Sequence, residues 1–222
     1  MTDSRYLRQQ QIIPADKLAA VRATVIGVGA IGRQVSLQLA AIGVPWLQLV
    51  DHDKVETVNL APQGYLEGDV GKPKVNATAD LCYKINYNVE LHPEEGRFRR
   101  SMEIGNAVFC CVDKIDTRRL IWEAVKSNVD FFVDGRMSAE VLRILTACDT
   151  ASRKHYPTTL FAQEEAFVGA CTARSTIFCA NIAAGLMVSK FAKWLRGLPV
   201  DCDLTLNLLA SELSITPANV AG

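Results

Sequence analysis

The apolar positions fall into short β-branched runs separated by longer amphipathic stretches. Residues 3–20 mix charge with Leu7, Ile12, Ile13 and Leu18, which predicts short helices over 3–10 and 14–21, the second opened by Pro14. Next come a strand over 22–28, a helix over 30–42 stopped by Gly43, and a strand over 44–50 closing on Asp51. Residues 52–73 lack periodicity and predict loop. A helix over 73–86 and a third strand over 89–92 follow. The wholly apolar run from Ala107 to Val112 predicts a buried parallel strand. A helix over 115–127 and a strand over 130–133 complete the order β-α-β-α-β-β-α-β, that of a doubly wound parallel sheet.

The pattern then changes. Val141, Arg143 and Leu145 alternate, predicting an antiparallel strand over 139–147 after a turn at Gly135-Arg136. Residues 150–171 predict a long connection, and a connection of that length is frequently functional. The longest helical pattern covers 172–195, and a last strand is expected over 204–213. The fold class expected is therefore α/β: a Rossmann-like, doubly wound, mostly parallel sheet with antiparallel C-terminal strands and a long C-terminal helix. One domain is expected over 1–222: a helical arm (1–21), a nucleotide-binding core (22–135), and a part (136–222) holding the crossover loop, long helix and terminal strand.

Composition narrows the function. Lys plus Arg number 24 and Asp plus Glu 24, so no field favours nucleic acid or an anionic membrane. No apolar run reaches the roughly 18 residues that span a bilayer, and the N-terminus has no signal-peptide core; a cytoplasmic location is expected. The seven cysteines are irregularly spaced, which argues against a disulfide framework. No Cys-x-x-Cys occurs, so no structural zinc is expected.

The candidate chemistry starts at Gly27-Val28-Gly29-Ala30-Ile31-Gly32, between the first strand and first helix. Gly27 and Gly29 let the backbone bend and approach a phosphate, and Gly32 lets helix and strand pack closely. The helix start then offers free N–H groups to an anion. Asp51 ends the next strand, at the distance expected of an acid that holds a ribose. Asp53 and Asn59 follow in a loop suited to orienting a triphosphate or a metal, and Gly71-Lys72-Pro73-Lys74 sets two amines at a helix start. Asp113 ends a parallel strand, where a carboxylate can hold Mg²⁺. Plainer readings stand beside these: loop polarity or capping for Asp51 and Asp53, a solvated amine for Lys74, and a helix cap for Asp113. Cys171, beside Arg174 and before the longest helix, is either an activated thiol or a small buried hydrophobe.

Taken together, Gly27-x-Gly29-x-x-Gly32, Asp51-x-Asp53-x-Val55-x-x-x-Asn59-Leu60-x-x-Gln63, Gly71-Lys72-Pro73-Lys74 and Cys111-Val112-Asp113 resemble the ThiF/MoeB family, prokaryotic relatives of ubiquitin-activating enzymes. Arg5-Tyr6-Leu7-Arg8-Gln9 is similar to that family's opening, and the resemblance covers roughly residues 5–195. It implies an adenylyltransferase. ATP with Mg²⁺ and the C-terminal glycine tail of a ubiquitin-like or sulfur-carrier protein would react to an acyl-adenylate and pyrophosphate. It further implies Gly27, Gly29, Gly32, Asp51, Asp53, Asn59, Gln63 and Lys74 at the nucleotide, with Asn59 and Lys74 on phosphates, and Asp113 on Mg²⁺. Arg8 would enter from the other subunit of a homodimer. Residues around Cys171 resemble those around the thioester cysteine of eukaryotic relatives. Pro62 departs from the pattern, standing where a phosphate-binding arginine is expected; Arg33 or Lys72 would have to compensate. The family's zinc cysteines are missing as well, which implies a zinc-free branch.

Other functions remain open at this point. Pro62 favours a non-catalytic nucleotide-binding scaffold. A tRNA-modifying dehydratase of the same family would want a basic excess that this chain lacks. A nicotinamide dehydrogenase leaves the Asp51–Asn59 and Gly71–Lys74 clusters without a role.

Overall fold

Alternating strands and helices build one eight-stranded sheet in the computed structural model, which describes residues 4–161 and 176–216. The strands are β1 (Arg22–Ile26), β2 (Trp46–Asp51), β3 (Glu90–Glu95), β4 (Ala107–Cys110), β5 (Phe131–Ser138), β6 (Val141–Ala147), β7 (Asp203–Asn207) and β8 (Glu212–Thr216). The helices are α1 (Ala15–Leu18), α2 (Ala30–Ile42), α3 (Leu60–Gln63), α4 (Lys74–Ile85), α5 (Ile115–Val125), α6 (Thr150–His155) and α7 (Ile177–Leu195). The sheet order is β3-β2-β1-β4-β5-β6-β7-β8, parallel through β5 and antiparallel beyond it. The expected Rossmann-like architecture, with antiparallel C-terminal strands and a long C-terminal helix, is what forms.

The two apolar faces of the sheet are covered separately. Helices α2, α4 and α7 pack on one face around Val35, Leu39, Phe109, Phe131 and Phe191. Helix α5 and the 3-10 turn Tyr156–Thr159 cover the other through Ile121, Trp122, Phe132 and Tyr156. Strand order reverses between β1 and β4, whose carboxyl ends open the crevice where such sheets bind ligands.

Several expectations need correction. Residues 3–10 and 14–21 shorten to a 3-10 turn at Ser4–Tyr6 and the single turn of α1. The loop over 52–73 contains α3 and two 3-10 turns. Gly135-Arg136 is no turn: β5 runs straight through both residues, and the chain reverses at Ala139 (φ +52°). Gly135 serves packing instead, since a Cβ there would lie 2.5 Å from Met187 Sδ of α7. The connection from 150 opens with α6, whose N-cap Asp149 accepts a hydrogen bond from Ser152 N (2.8 Å). Residues 204–213 are a hairpin of β7 and β8, turned at Ser211 (φ +57°) rather than at a glycine.

His155, the last residue of α6, pairs its Nε2 with Asp203 Oδ2 (3.0 Å), while Arg143 donates twice to the same carboxylate (2.9 and 2.6 Å). Burial alone would raise the Asp203 carboxyl, but the hydrogen bonds from Arg143 and His155 outweigh it and hold the group below its ordinary range. A depressed carboxyl stabilises the fold above its unfolded pKa of about 4, and that contribution disappears as pH falls through the folded value. Asp203→Asn is therefore expected to cost about 2 kcal/mol in urea denaturation at pH 7 and progressively less toward pH 3. A deficit independent of pH would contradict the assignment.

Candidate functional site

The glycine turn closes β1 onto β4. Gly27 (φ +87°) donates its N–H to Val50 O (2.8 Å), and a Cβ on it would sit 2.8 Å from both C and O of Cys111. Gly27 is thus required by the end of β4, where the sequence suggested clearance for a phosphate. A Cβ on Gly32 would lie 1.8 Å from Gly27 O, so α2 packs on the turn backbone to backbone. Gly29 differs from both. It is the N-cap of α2, and among the described residues its Cβ would meet only Gln63 Oε1 at 3.9 Å. No described atom therefore crowds the first amides of α2, which can meet an anion there.

Asp51 shapes this turn from the end of β2. Its Oδ2 accepts from Val28 N (2.6 Å) and its Oδ1 from Asp53 N (2.9 Å). Asp53 Oδ2 in turn holds Lys74 Nζ at 3.0 Å. The side chain of Lys74 is only 7% exposed, so it is no solvated amine: it is a buried cation neutralised by one half-exposed carboxylate. Removing Asp53 would strand that charge. Asp51, His52 and Asp53 bring one potential ligand atom each within 4.8 Å of one another, but the ammonium of Lys74 and two backbone amides already engage these carboxylates.

The short α3 forms one wall. Arg33 of α2 donates from Nε and Nη2 to Gly64 O (3.2 and 2.7 Å), and Gln34 Nε2 donates to Gln63 O (3.2 Å). The Arg33 guanidinium lies over the Tyr65 ring at 4.4 Å, and Tyr65 donates its hydroxyl to Val28 O (2.6 Å) in the glycine turn. Burial raises the Tyr65 phenol, keeping it a neutral donor, and lowers the Arg33 guanidinium. Asn59 Oδ1 accepts from Glu56 N (3.0 Å) and so fixes the loop entering α3. Pro62 lies half-buried in α3. Both expected substitutes for an arginine at 62 have partners: Arg33 donates to Gly64, with Nη1 unpartnered among the described residues, and Lys72 pairs with Asp69 at 3.2 Å.

Asp113 is exposed in the bend between β4 and α5, just past the carboxyl end of the strand paired with β1. The N-cap of α5 is Lys114, and Asp113 caps nothing. Arg8 is exposed on the arm. Its neighbours Tyr6 and Gln9 dock at the far end of α2: Asn86 Nδ2 donates to Tyr6 Oη (2.8 Å) and Gln9 Nε2 to Ile42 O (2.7 Å). With its 13 residues α2 spans about 20 Å, so the structure does not bring Arg8 to the glycine turn of its own chain. Cys171 lies outside the described residues. Burial pushes the thiol of Cys82 up to about 12 and that of Cys148 to about 11, and it also raises Cys110, Cys111 and Cys202, so none of these five is a thiolate at neutral pH.

Sequence reasoning missed a buried ionic cluster behind Asp113. Asp134, fully buried in β5, pairs with Arg118 of α5 and with Arg136 Nε (2.9 Å), and accepts from Tyr156 Oη (2.9 Å). The one signal was a carboxylate, Asp134, directly after the apolar run Phe131–Val133 with Arg136 two residues on.

These residues fit a nucleotide with a divalent cation. Gln63 Oε1 is buried with no partner among the described residues, 3.9 Å from where a Gly29 Cβ would lie, in an amide that can offer an N–H there on rotation. Asp113, exposed at a strand end and without a partner among the described residues, is a hard oxygen donor suited to Mg²⁺.

Residues 6–215 match the ThiF family. The SAMP-activating enzyme E1 of Haloferax volcanii is 35% identical over 101 residues, which are 44% of this chain and 37% of that protein. The molybdopterin-synthase adenylyltransferase of Salmonella typhimurium is 31% identical over 109 residues, 46% of this chain and 44% of its own length. The matched stretches thus span less than half of these curated relatives. In fold, the chain resembles E. coli MccB, solved with ATP, at a TM-score of 0.75 and 16% identity, over 98% of this chain and 72% of that one. No helix among the described residues is long and apolar enough to cross a membrane.

Proposed function

The chain belongs to the ThiF family, and from that premise we propose that it adenylates the C-terminal glycine carboxylate of a ubiquitin-like or sulfur-carrier protein, using ATP. The observation that carries the proposal is the crevice at the carboxyl ends of β1 and β4: a helix N-terminus that no described atom crowds at Gly29, buried Lys74 held by Asp53, and, at the end of β4, Asp113 without a partner among the described residues. The relatives named for adenylyl transfer and for SAMP activation support the substrate class.

In this reading the tail carboxylate attacks the α-phosphorus of ATP. A new P–O bond forms, the bond to the bridging oxygen breaks, and pyrophosphate leaves. Asp51 holds the ribose, and Gly27, Gly29 and Gly32 shape the phosphate turn. Asn59, Gln63 and Lys74 face the phosphates, with Asp53 setting the Lys74 ammonium. Bound Mg²⁺, held by Asp113, would supply neutralising charge to the leaving group. The chain's own task is to hold a weak nucleophile in line with an α-phosphate drained of repulsion. A following step is proposed at Cys171: its thiolate attacks the acyl carbon, AMP leaves, and a thioester forms. Unchanged adduct on a Cys171→Ala variant would refute that step.

The test is intact-mass spectrometry of a carrier ending in Gly-Gly after incubation with the enzyme and ATP. An adenylate on the carrier is expected. Pro62 favours a second reading, a nucleotide-binding scaffold, and ATP bound with the carrier left unmodified would support that reading instead.

Arg8 gives a separate prediction. Held about a helix length from its own crevice, it would act only in the site of a second copy, and the active form proposed is a homodimer. Arg8→Ala and Asp113→Ala are each expected to be inactive, and their mixture to recover about a quarter of wild-type activity through hybrid dimers with one intact site. No recovery on mixing would contradict a role in trans.

A further inference from the structure

Asp113 has no side-chain tether among the described residues, so the aim of its carboxylate rests on the backbone that carries it. That backbone is gripped on two sides. On one side the glycine turn lies against it: Cys111 N donates to Ile26 O (2.8 Å), and Gly27 touches the Cys111 carbonyl so closely that no Cβ fits between them. On the other side stands Arg118, one turn into α5. Its Nη2 donates to Val112 O, the carbonyl just before Asp113, and its Nη1 donates to Gly135 O (3.3 Å) while pairing with Asp134. One guanidinium therefore bolts the β4–α5 bend to β5. Asp134 holds that guanidinium in turn, itself braced by Arg136 and Tyr156; it sits in register with Cys110, one strand from the bend.

We infer that Arg118, held by Asp134, is the positioning residue that aims the Asp113 carboxylate at its cation. The inference rests on the reading of Asp113 as the magnesium ligand. The fork of an arginine is needed because the carbonyl and the carboxylate must be reached at once, which the single ammonium of a lysine cannot do. Charged groups that orient a metal ligand from behind typically change metal affinity about 10- to 100-fold when altered.

The experiment uses the full chain with α,β-methylene ATP and Mn²⁺ as the metal probe. Manganese affinity is measured for wild type, Asp113→Asn, Arg118→Lys and Asp134→Asn, with amide hydrogen exchange followed over residues 107–118 and 22–35. In Arg118→Lys, Mn²⁺ affinity is expected to fall about tenfold, with analogue affinity in the absence of metal unchanged. Exchange should quicken over 107–118 only. If Arg118→Lys does not fold, Asp134→Asn, which keeps the shape and removes the charge, carries the same expectation. Wild-type manganese affinity in the folded Arg118 or Asp134 variant, with Asp113→Asn impaired, would overturn the inference alone. A parallel loss of metal and nucleotide affinity would make Arg118 merely structural and overturn it too. Unchanged affinity in Asp113→Asn would overturn both the inference and the reading beneath it.

Discussion

Gly32→Ala is expected to lose about 4 kcal/mol of stability or more, enough to lower the thermal midpoint by about 10 °C or prevent folding. Ordinary helix energetics predict the reverse, since alanine in a helix is about 1 kcal/mol better than glycine. The sign is decided by contact. The added Cβ would lie 1.8 Å from Gly27 O, 2.9 Å from Gly27 C and 3.1 Å from Cys111 Cβ, and two of those three are backbone atoms that no rotamer change can move. Relieving them would lift α2 off the turn and open the contact between β1 and β4. Gly29→Ala is the control within the same motif. Its Cβ meets nothing closer than 3.9 Å among the described residues, so the fold should survive while nucleotide affinity falls. Urea denaturation of the two variants checks the contrast, and a stable Gly32→Ala protein would show that the turn is packed otherwise.

The second large effect is expected at Asp113 and in activity alone. Asp113→Asn should slow carrier-dependent adenylation about a hundredfold or more. Stability should stay within about 0.5 kcal/mol of wild type, because the side chain is exposed and caps no helix. Had Asp113 been the cap of α5, the same change would have cost stability and left chemistry intact. Steady-state rates measured beside a denaturation curve separate the two cases. Raising Mg²⁺ should partly restore the rate, since the variant keeps an oxygen ligand but loses its charge.

Much of this was legible in the sequence because it is local. The β1–turn–α2 unit is a β-branched run, three spaced glycines and an amphipathic helix closed by Gly43 in the left-handed region, and it forms over nearly the residues read. The apolar run at Ala107 is a central parallel strand for the same reason. What escaped is long-range. Gly135 looks like a turn until Met187, far along the chain, is seen against it. Lys74 looks like a solvated amine until Asp53, 21 residues earlier, closes on it. The hairpin of β7 and β8 turns at Leu208–Ser211 without a glycine, so nothing in its pattern breaks the run. Nothing local joins Arg118 to Asp134, 16 residues on; only the packing of α5 against the sheet does.

We propose that this crevice activates a carboxylate at the α-phosphate of ATP. ATP–pyrophosphate exchange tests it most directly, because label enters ATP only if the acyl-adenylate forms reversibly. With a carrier ending in Gly-Gly and Mg²⁺ present, wild type is predicted to exchange label, and omission of the carrier or the Asp113→Asn change to abolish the signal. Tight ATP binding with no exchange in the presence of the carrier would contradict it.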